Sequence, residues 1–204
     1  MGLYSRQVLP RITNRILDNE EFAGIRARVA TGLSGTVLEI GFGSGLNLAH
    51  YPAAVGRVLA VEPSTVSRQL AAERVRASDA DVDYVGLDGE DLPLESESAD
   101  HALSTWTLCT IPDVDRALRQ IRRVLRPGGT LHFVEHGRSP APEVVRWQNR
   151  LTPLQRRIAG GCHLNRPIDE LVTRSGLDLT AMTNYYAEGP KFMGYMYEGI
   201  ARKN

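Results

Sequence analysis

The order of the sequence's periodicities predicts a doubly wound α/β domain, with a mostly parallel sheet, helices on both faces and an antiparallel hairpin at its C-terminal edge. Three observations carry this reading. A β-rich run, Thr36–Ile40, ends in a triple-glycine turn that passes into a helix-like segment. Strand-like and helix-like segments then alternate as far as His136, the pattern of βαβ units. The last stretch breaks the alternation with two strand-like runs joined by Glu188-Gly189-Pro190.

Taken in order, Ile12–Val29 reads as one helix, with Ile12, Ile16, Phe22, Ile25 and Val29 roughly on one face. Gly32, Ser34 and Gly35 end it. After the first strand, Leu46–His50 reads as the start of a helix, stopped near Pro52. Arg57–Glu62 is the second strand, Val66–Ser78 a helix, Val82–Leu87 the third strand and Asp100–Trp106 the fourth. Val114–Leu125 is the clearest helix, with apolar residues at helical spacing and Asp113 as N-cap. Arg126-Pro127-Gly128-Gly129 predicts a turn, and Thr130–His136 the fifth strand. A helix over Ile168–Ser175 leads into the final pair, Leu177–Tyr186 and Phe192–Ala201, for seven strands in all. Residues 1–34 read as an N-terminal helical extension and 35–204 as the α/β domain.

Composition narrows the function. With 204 residues, 42% of them hydrophobic, the chain suits one globular domain. Zero formal net charge argues against a nucleic-acid partner, which would select a cationic surface. Lys191 and Lys203 are the only lysines, so Schiff-base chemistry has few candidates. Cys109 and Cys162 are no disulfide framework and cannot by themselves make a zinc site, so no metal ligand is assigned. Neither a signal-peptide core nor an 18-residue apolar run is present, so the expected location is the cytoplasm.

The turn after the first strand, Gly41-x-Gly43-x-Gly45, lies where open α/β sheets bind ligands. Glycine permits positive φ there and lets a ligand touch backbone. The dinucleotide fingerprint needs its third glycine at position 46, which is Leu46, and the Gly-Lys-Ser/Thr of phosphate loops is absent. A tight structural turn is the alternative. Glu62 ends the second strand about 20 residues on, where an acid can take both ribose hydroxyls. Its alternative is an exposed loop carboxylate. Asp88-Gly89-Glu90-Asp91-Leu92-Pro93 follows the third strand and can accept from an adenine amino group. Together these describe an adenosyl pocket without a phosphate-binding cation.

At this point a resemblance becomes specific. Val37–Gly45 resembles motif I of the class I S-adenosylmethionine (SAM)-dependent methyltransferases. Asp88–Pro93 resembles their adenine loop, and Leu125–Gly129 the turn before their fifth strand. The likeness runs over about residues 35–202. It implies a Rossmann-like seven-stranded sheet, SAM as cofactor and S-adenosylhomocysteine as product. It also implies that Gly41, Gly43 and Gly45 meet the methionine part, Glu62 the ribose, and Asp88 with Gly89 the adenine. By the same resemblance Thr105, Trp106 and Thr107 are expected to flank the sulfonium, and Glu39, Pro63 and Glu90 to complete the cofactor set. Phe42 departs from the motif, which often has a small residue there.

A narrower resemblance runs through Thr107-Leu108-Cys109, Glu135-His136-Gly137, Trp147-Gln148, Gly161–Arg166 and Tyr185-Tyr186. These are similar to the methyltransferase-like 7 family, whose best-known members are membrane-anchored thiol S-methyltransferases. The chain shows no N-terminal hydrophobic anchor of their kind, and it is more weakly similar to bacterial phospholipid N-methyltransferases. The expected acceptor is therefore a small molecule with a thiol, with a phospholipid amine second. His136, just past the fifth strand, is the first candidate base, and His163 the second. His101, His132, Cys109 and Cys162 are expected to be structural, and Trp147, Tyr185 and Tyr186 to wall the acceptor or belong to the core. Val144–Ile158 reads as a basic amphipathic segment. It is expected to be a lid helix, with peripheral membrane contact, there or through Arg6, Arg11 and Arg15, as the alternative. An adenosyl-binding scaffold and a nicotinamide dehydrogenase are the competing classes. The intact loop and acids disfavour the first, and the glycine spacing the second.

Overall fold

The first strand is apolar on both faces, and both faces are covered. The computed structural model describes residues 3–86 and 88–204. It places Val37 in a core on one side of the sheet and Leu38 and Ile40 in a core on the other. The second strand divides likewise, with Val58 and Ala60 on the first side and Leu59 and Val61 on the second. Met1, Gly2 and Leu87 lie outside the described residues, and with them the start of the N-terminal extension and the last residue of the expected third strand.

Seven strands form one sheet: β1 (Gly35–Ile40), β2 (Val55–Val61), β3 (Asp81–Gly86), β4 (Ala99–Thr105), β5 (Leu125–His136), β6 (Asp178–Tyr186) and β7 (Tyr195–Arg202). Their order is β3-β2-β1-β4-β5-β7-β6. Only β7 runs against its neighbours, pairing His136 with Met196 and Tyr186 with Tyr195. The chain leaves β1 for one edge and returns through β4 to the other, so the crevice between the carboxyl ends of β1 and β4 is the switch point at which such sheets bind ligands.

Helices α2 (Glu20–Ala30) and α3 (Thr65–Arg76) supply Ile25, Val29 and Ala71 to one core. Helices α4 (Val114–Val124) and α6 (Ile168–Arg174) supply Leu118, Ile121, Ile168 and Val172 to the other. The predicted α4 is confirmed in detail: Val114, Ala117, Leu118, Ile121 and Val124 are buried, and Asp113 accepts the Arg116 N–H at 2.9 Å.

Four local expectations are corrected. The N-terminal helix is two helices, α1 (Leu9–Leu17) and α2, because Asn19 is extended and its side chain caps the Phe22 N–H at 3.1 Å. Ile12 and Ile16 consequently stay exposed on α1, while Ile25 and Val29 are buried on α2. Leu46–His50 forms only a 3₁₀ turn, Leu48–His50. Arg126–Gly129 joins β5, with a register shift opposite Ala99 and His101 that Gly128 absorbs at φ +78°. Between the hairpin strands lies a short helix, α7 (Lys191–Gly194).

Candidate active site

The glycine loop lies over the switch point and needs its glycines for different reasons. Gly41, Gly43 and Gly45 all have positive φ. A Cβ on Gly41 would lie 2.1 Å from Thr107 Oγ1, so the loop and the segment after β4 touch there. A Cβ on Gly43 would meet nothing nearer than 3.8 Å, which leaves that backbone open to a ligand. The Phe42 ring is buried edge-on against Tyr84, with centroids 5.6 Å apart.

Glu62 fastens the loop. Its carboxylate accepts the Gly43 N–H and the Ser64 N–H, each at 2.7 Å, tying the loop to the start of α3. Burial raises its pKa, and these two bonds oppose the rise. A carboxylate offers about four lone-pair sites, so the ribose hydroxyls can still donate to it. Pro63 is exposed beside it. Beyond β3, Asp88 is exposed and accepts the Glu90 N–H at 2.8 Å. Glu90 reaches the Asp113 N–H at 2.8 Å, and a Cβ on Gly89 would lie 3.3 Å from Ile40. The adenine loop is thereby folded over the end of β1.

Glu39 projects to the opposite face from Leu38 and is buried. Asn47 donates to it at 2.7 Å and Tyr51 through a short hydrogen bond, which anchors the outgoing half of the loop. Burial, only partly offset by these donors, pushes its carboxyl up to about 7. Asn47 also donates to Thr105 Oγ1 at 3.1 Å. Next in the chain, Trp106 has φ +51°, a strained conformation for an aromatic residue. Its ring packs edge-on to Phe22 and lies 5.0 Å from the Arg26 guanidinium of α2. Arg26 is 4% exposed, and its pKa is lowered to about 10 by burial.

Three buried polar atoms of this group have no protein partner: Arg26 Nε, Trp106 Nε1 and Asn47 Oδ1. Orphaned buried donors and acceptors are costly and mark a missing partner. Two donors, one of them cationic, beside an amide acceptor and a carboxyl suit an amino-acid zwitterion. The methionine end of SAM, adjoining the glycine loop, fits them. Arg26 was not singled out by the periodicity, which placed it away from the apolar face of the first helix.

On the acceptor side, the segment after β4 is held by two buried charged groups. Glu135 accepts from Thr107 N at 2.8 Å, Leu108 N at 2.9 Å, Cys109 N at 3.3 Å and Ser104 Oγ at 2.9 Å. Arg166 takes the carbonyls, donating to Ile111 O at 2.6 Å and, through a short bond, to Leu108 O. Sequence reasoning gave Glu135 no role of its own. An acid after Phe133 and Val134, in a strand buried on both faces, was the available signal.

The structure brings together three residues that the sequence analysis kept apart. Cys109 Sγ, His136 Nε2 and Cys162 Sγ lie within 4.8 Å of one another, with His136 Nε2 2.9 Å from Cys162 Sγ. Hydrogen bonds from the Cys109 thiol and His136 hold the Cys162 thiol well below the usual range. Burial would lower His136, but the hydrogen bond to Cys162 and the charge of Glu135 outweigh it and raise its pKa. The Nε2 of His136, the first candidate base, is thus engaged by Cys162. His163 is half-buried, with its N–H on Cys109 O at 2.8 Å and Nδ1 3.2 Å from the same oxygen. That contact places its proton on Nδ1 and leaves Nε2 as an acceptor. Burial and Arg166 lower its pKa.

His101 and His132 bond Thr130 within the sheet, as expected of structural histidines. Of the aromatic candidates, Trp147 is 56% exposed on α5 (Pro142–Ile158), Tyr185 bonds Glu198 at 2.8 Å, and Tyr186 packs on Tyr195.

A sheet whose strand order reverses beneath a glycine loop, with unpartnered polar groups beside it that suit an amino acid, points to the class: a Rossmann-like domain of the class I SAM-dependent methyltransferases. Comparison with known proteins agrees. A family model described as a methyltransferase domain matches residues 38–133. Thiol S-methyltransferase TMT1B of Homo sapiens is 33% identical over 175 residues, covering 80% of this chain and 69% of that protein. The Rattus norvegicus protein of the same name is 32% identical over 154 residues, 72% of this chain and 62% of its own length. The chain thus spans about two thirds of the length of these relatives. A ubiquinone biosynthesis O-methyltransferase of Rhizobium rhizogenes is 29% identical over 170 residues, 78% of this chain and 66% of that protein. Among solved structures, a SAM-dependent methyltransferase of Thermotoga maritima superposes with TM-score 0.68 at 20% identity, over 98% of this chain and 97% of that one, and shares the fold. The chain belongs to the thiol S-methyltransferase family of SAM-dependent methyltransferases, and its cofactor is SAM.

Proposed function

We propose that this protein transfers the methyl group of SAM to the sulfur of a small thiol. The carrying observation is the acceptor-side loop, held by Glu135 and Arg166 against the glycine loop, with a half-buried histidine beside it. The relatives named thiol S-methyltransferase support the choice of acceptor.

SAM supplies an electrophilic methyl on a sulfonium. Glu62, Asp88, Gly89, Glu90 and Pro63 would hold its adenosine, while the glycine loop, Glu39, Asn47 and Arg26 would hold its amino-acid end. Thr105, Trp106 and Thr107 would border the reacting methyl. Their rigid attachment matters because an in-line displacement depends on alignment and a dry pocket more than on acid–base machinery. The acceptor thiol gives its proton to His163 Nε2. Removing such a base costs typically 10²–10⁴-fold in rate. His163→Gln should lower kcat by roughly that factor while SAM affinity stays unchanged.

The test is methyl transfer from methyl-labelled SAM to an alkyl thiol, alcohol and amine of equal chain length. Label on the thiol alone supports the reading; label on the alcohol or amine alone removes it. A second observation favours an acceptor drawn from an apolar surface. Ile12 and Ile16 of α1 and Trp147, Leu154 and Ile158 of α5 are exposed, and Tyr4, in the segment leading into α1, bonds Ile158 O at the end of α5 at 3.0 Å. On this reading the protein makes peripheral membrane contact through that surface and its arginines, and cosedimentation with anionic vesicles tests it. Among the described residues, no helix is long and apolar enough to cross a membrane.

A further inference from the structure

We propose that Cys109, His136 and Cys162 bind one zinc ion as a three-ligand site, which leaves the fourth coordination position of the metal to a ligand from outside the chain. Assigning that position to the acceptor thiolate rests on the thiol reading above; the metal site itself does not.

The donor set is the first argument. Two thiolates and an imidazole are preferred zinc ligands, and three protein ligands plus one open position is the pattern of reactive rather than structural zinc. Geometry is the second. Tetrahedral zinc at ~2.3 Å from sulfur and ~2.0 Å from nitrogen separates its ligand atoms by about 3.5–3.8 Å. The three atoms already lie within 4.8 Å of one another, and His136 Nε2 is 2.9 Å from Cys162 Sγ. Seating zinc among them requires shifts of about an ångström.

The third argument is that the site is built. Cys162 follows Gly160 and Gly161, at φ +60° and +94°, and a Cβ on Gly161 would lie 3.0 Å from Thr110 O. Only glycine fits that turn, which carries Cys162 back onto the Cys109 loop. Glu135 pins the Cys109 N–H at 3.3 Å, and Gln155 Nε2 lies 4.0 Å from Cys162 Sγ, the kind of surrounding partner that orients metal ligands.

Proton balance is simple. Zinc binding displaces the two thiol protons to solvent, and His136 coordinates as the neutral imidazole. An incoming acceptor thiol would give its proton to His163 Nε2 as it coordinates. Its sulfur lone pair then forms the S–CH₃ bond as the sulfonium C–S bond breaks, and the neutral thioether leaves.

The experiment titrates zinc and cobalt(II) into the reduced, chelator-stripped full chain. We expect one ion per chain, a tetrahedral cobalt spectrum with sulfur-to-metal charge transfer, and at least roughly 100-fold weaker binding in Cys109→Ser, Cys162→Ser and His136→Ala. Zinc should raise the thermal midpoint of the wild type, a readout that needs no variant to fold. No binding by the reduced wild type at micromolar zinc, or undiminished binding in all three folded variants, overturns the site. Adding an alkyl thiol to the cobalt form should shift its spectrum. Zinc binding without thiol methylation leaves the site standing and removes the thiol reading. Full-rate thiol methylation by zinc-free protein does the reverse for the fourth position.

Discussion

Replacing Glu62 with Gln separates its two proposed roles. The carboxylate accepts two backbone N–H groups, from Gly43 and Ser64, each at 2.7 Å. A glutamine keeps one acceptor and turns an NH₂ group toward the other donor. The loss of one charge-assisted hydrogen bond costs about 1.5–3 kcal/mol. At ~2–4 °C per kcal/mol for a chain of this size, the thermal midpoint should fall by roughly 3–12 °C. The ribose hydroxyls would lose a charged acceptor, together about 2–3 kcal/mol, so SAM and S-adenosylhomocysteine should bind roughly 30–150-fold more weakly. Calorimetry should include an analogue lacking one ribose hydroxyl. The wild type should discriminate against it, and Glu62→Gln should discriminate less. A folded variant that binds SAM within threefold of the wild type would refute the assignment. Equal losses for both ligands would reduce Glu62 to a tether of the loop.

Three further predictions follow from the same geometry. Arg26→Met should weaken SAM binding roughly 10–100-fold, the value of a lost charged contact, and leave adenosine binding unchanged; equal effects on both ligands would contradict the amino-acid assignment. Gly41→Ala, with φ +74° and its Cβ 2.1 Å from Thr107 Oγ1, should destabilise the fold by more than the ~1–2 kcal/mol of left-handed strain alone. Denaturant unfolding should show Thr107→Gly recovering the excess but not the strain. Glu39 has a folded-state pKa of about 7, above its value in the unfolded chain, so the folded protein binds the extra proton. Its contribution therefore falls as pH rises from about 4.5 to 7, by roughly 3 kcal/mol, and stays low above that. Glu39→Gln should remove this part of the pH dependence, and parallel curves for the two proteins would contradict the assignment.

What was legible in the sequence followed from regular periodicity. The division of Val37, Leu38, Val58 and Leu59 between two cores is the period-two pattern of a doubly covered sheet, and α4 is a period-3.6 pattern with a capping aspartate. The glycine loop was legible because three glycines at that spacing have few other uses. The N-terminal break was not, since Ile12, Ile16, Phe22 and Ile25 continue one helical repeat across Asp18 and Asn19, and only the Asn19 cap interrupts it. Arg26 is buried beside Trp106, far away in the chain, which no local pattern announces. The Cys109, His136 and Cys162 cluster is made by two loops meeting, and no local pattern records such a meeting. Glu39 and Glu135 show the more useful signal: a lone acid inside an apolar strand buried on both faces is there to hold something polar.

The most direct test of the account is to incubate the protein with SAM and a small alkyl thiol and count both products by mass spectrometry. The account predicts S-adenosylhomocysteine and the S-methyl thioether in equal amounts, with His163→Gln lowering both together. Tight SAM binding with no thioether from any alkyl thiol would contradict it.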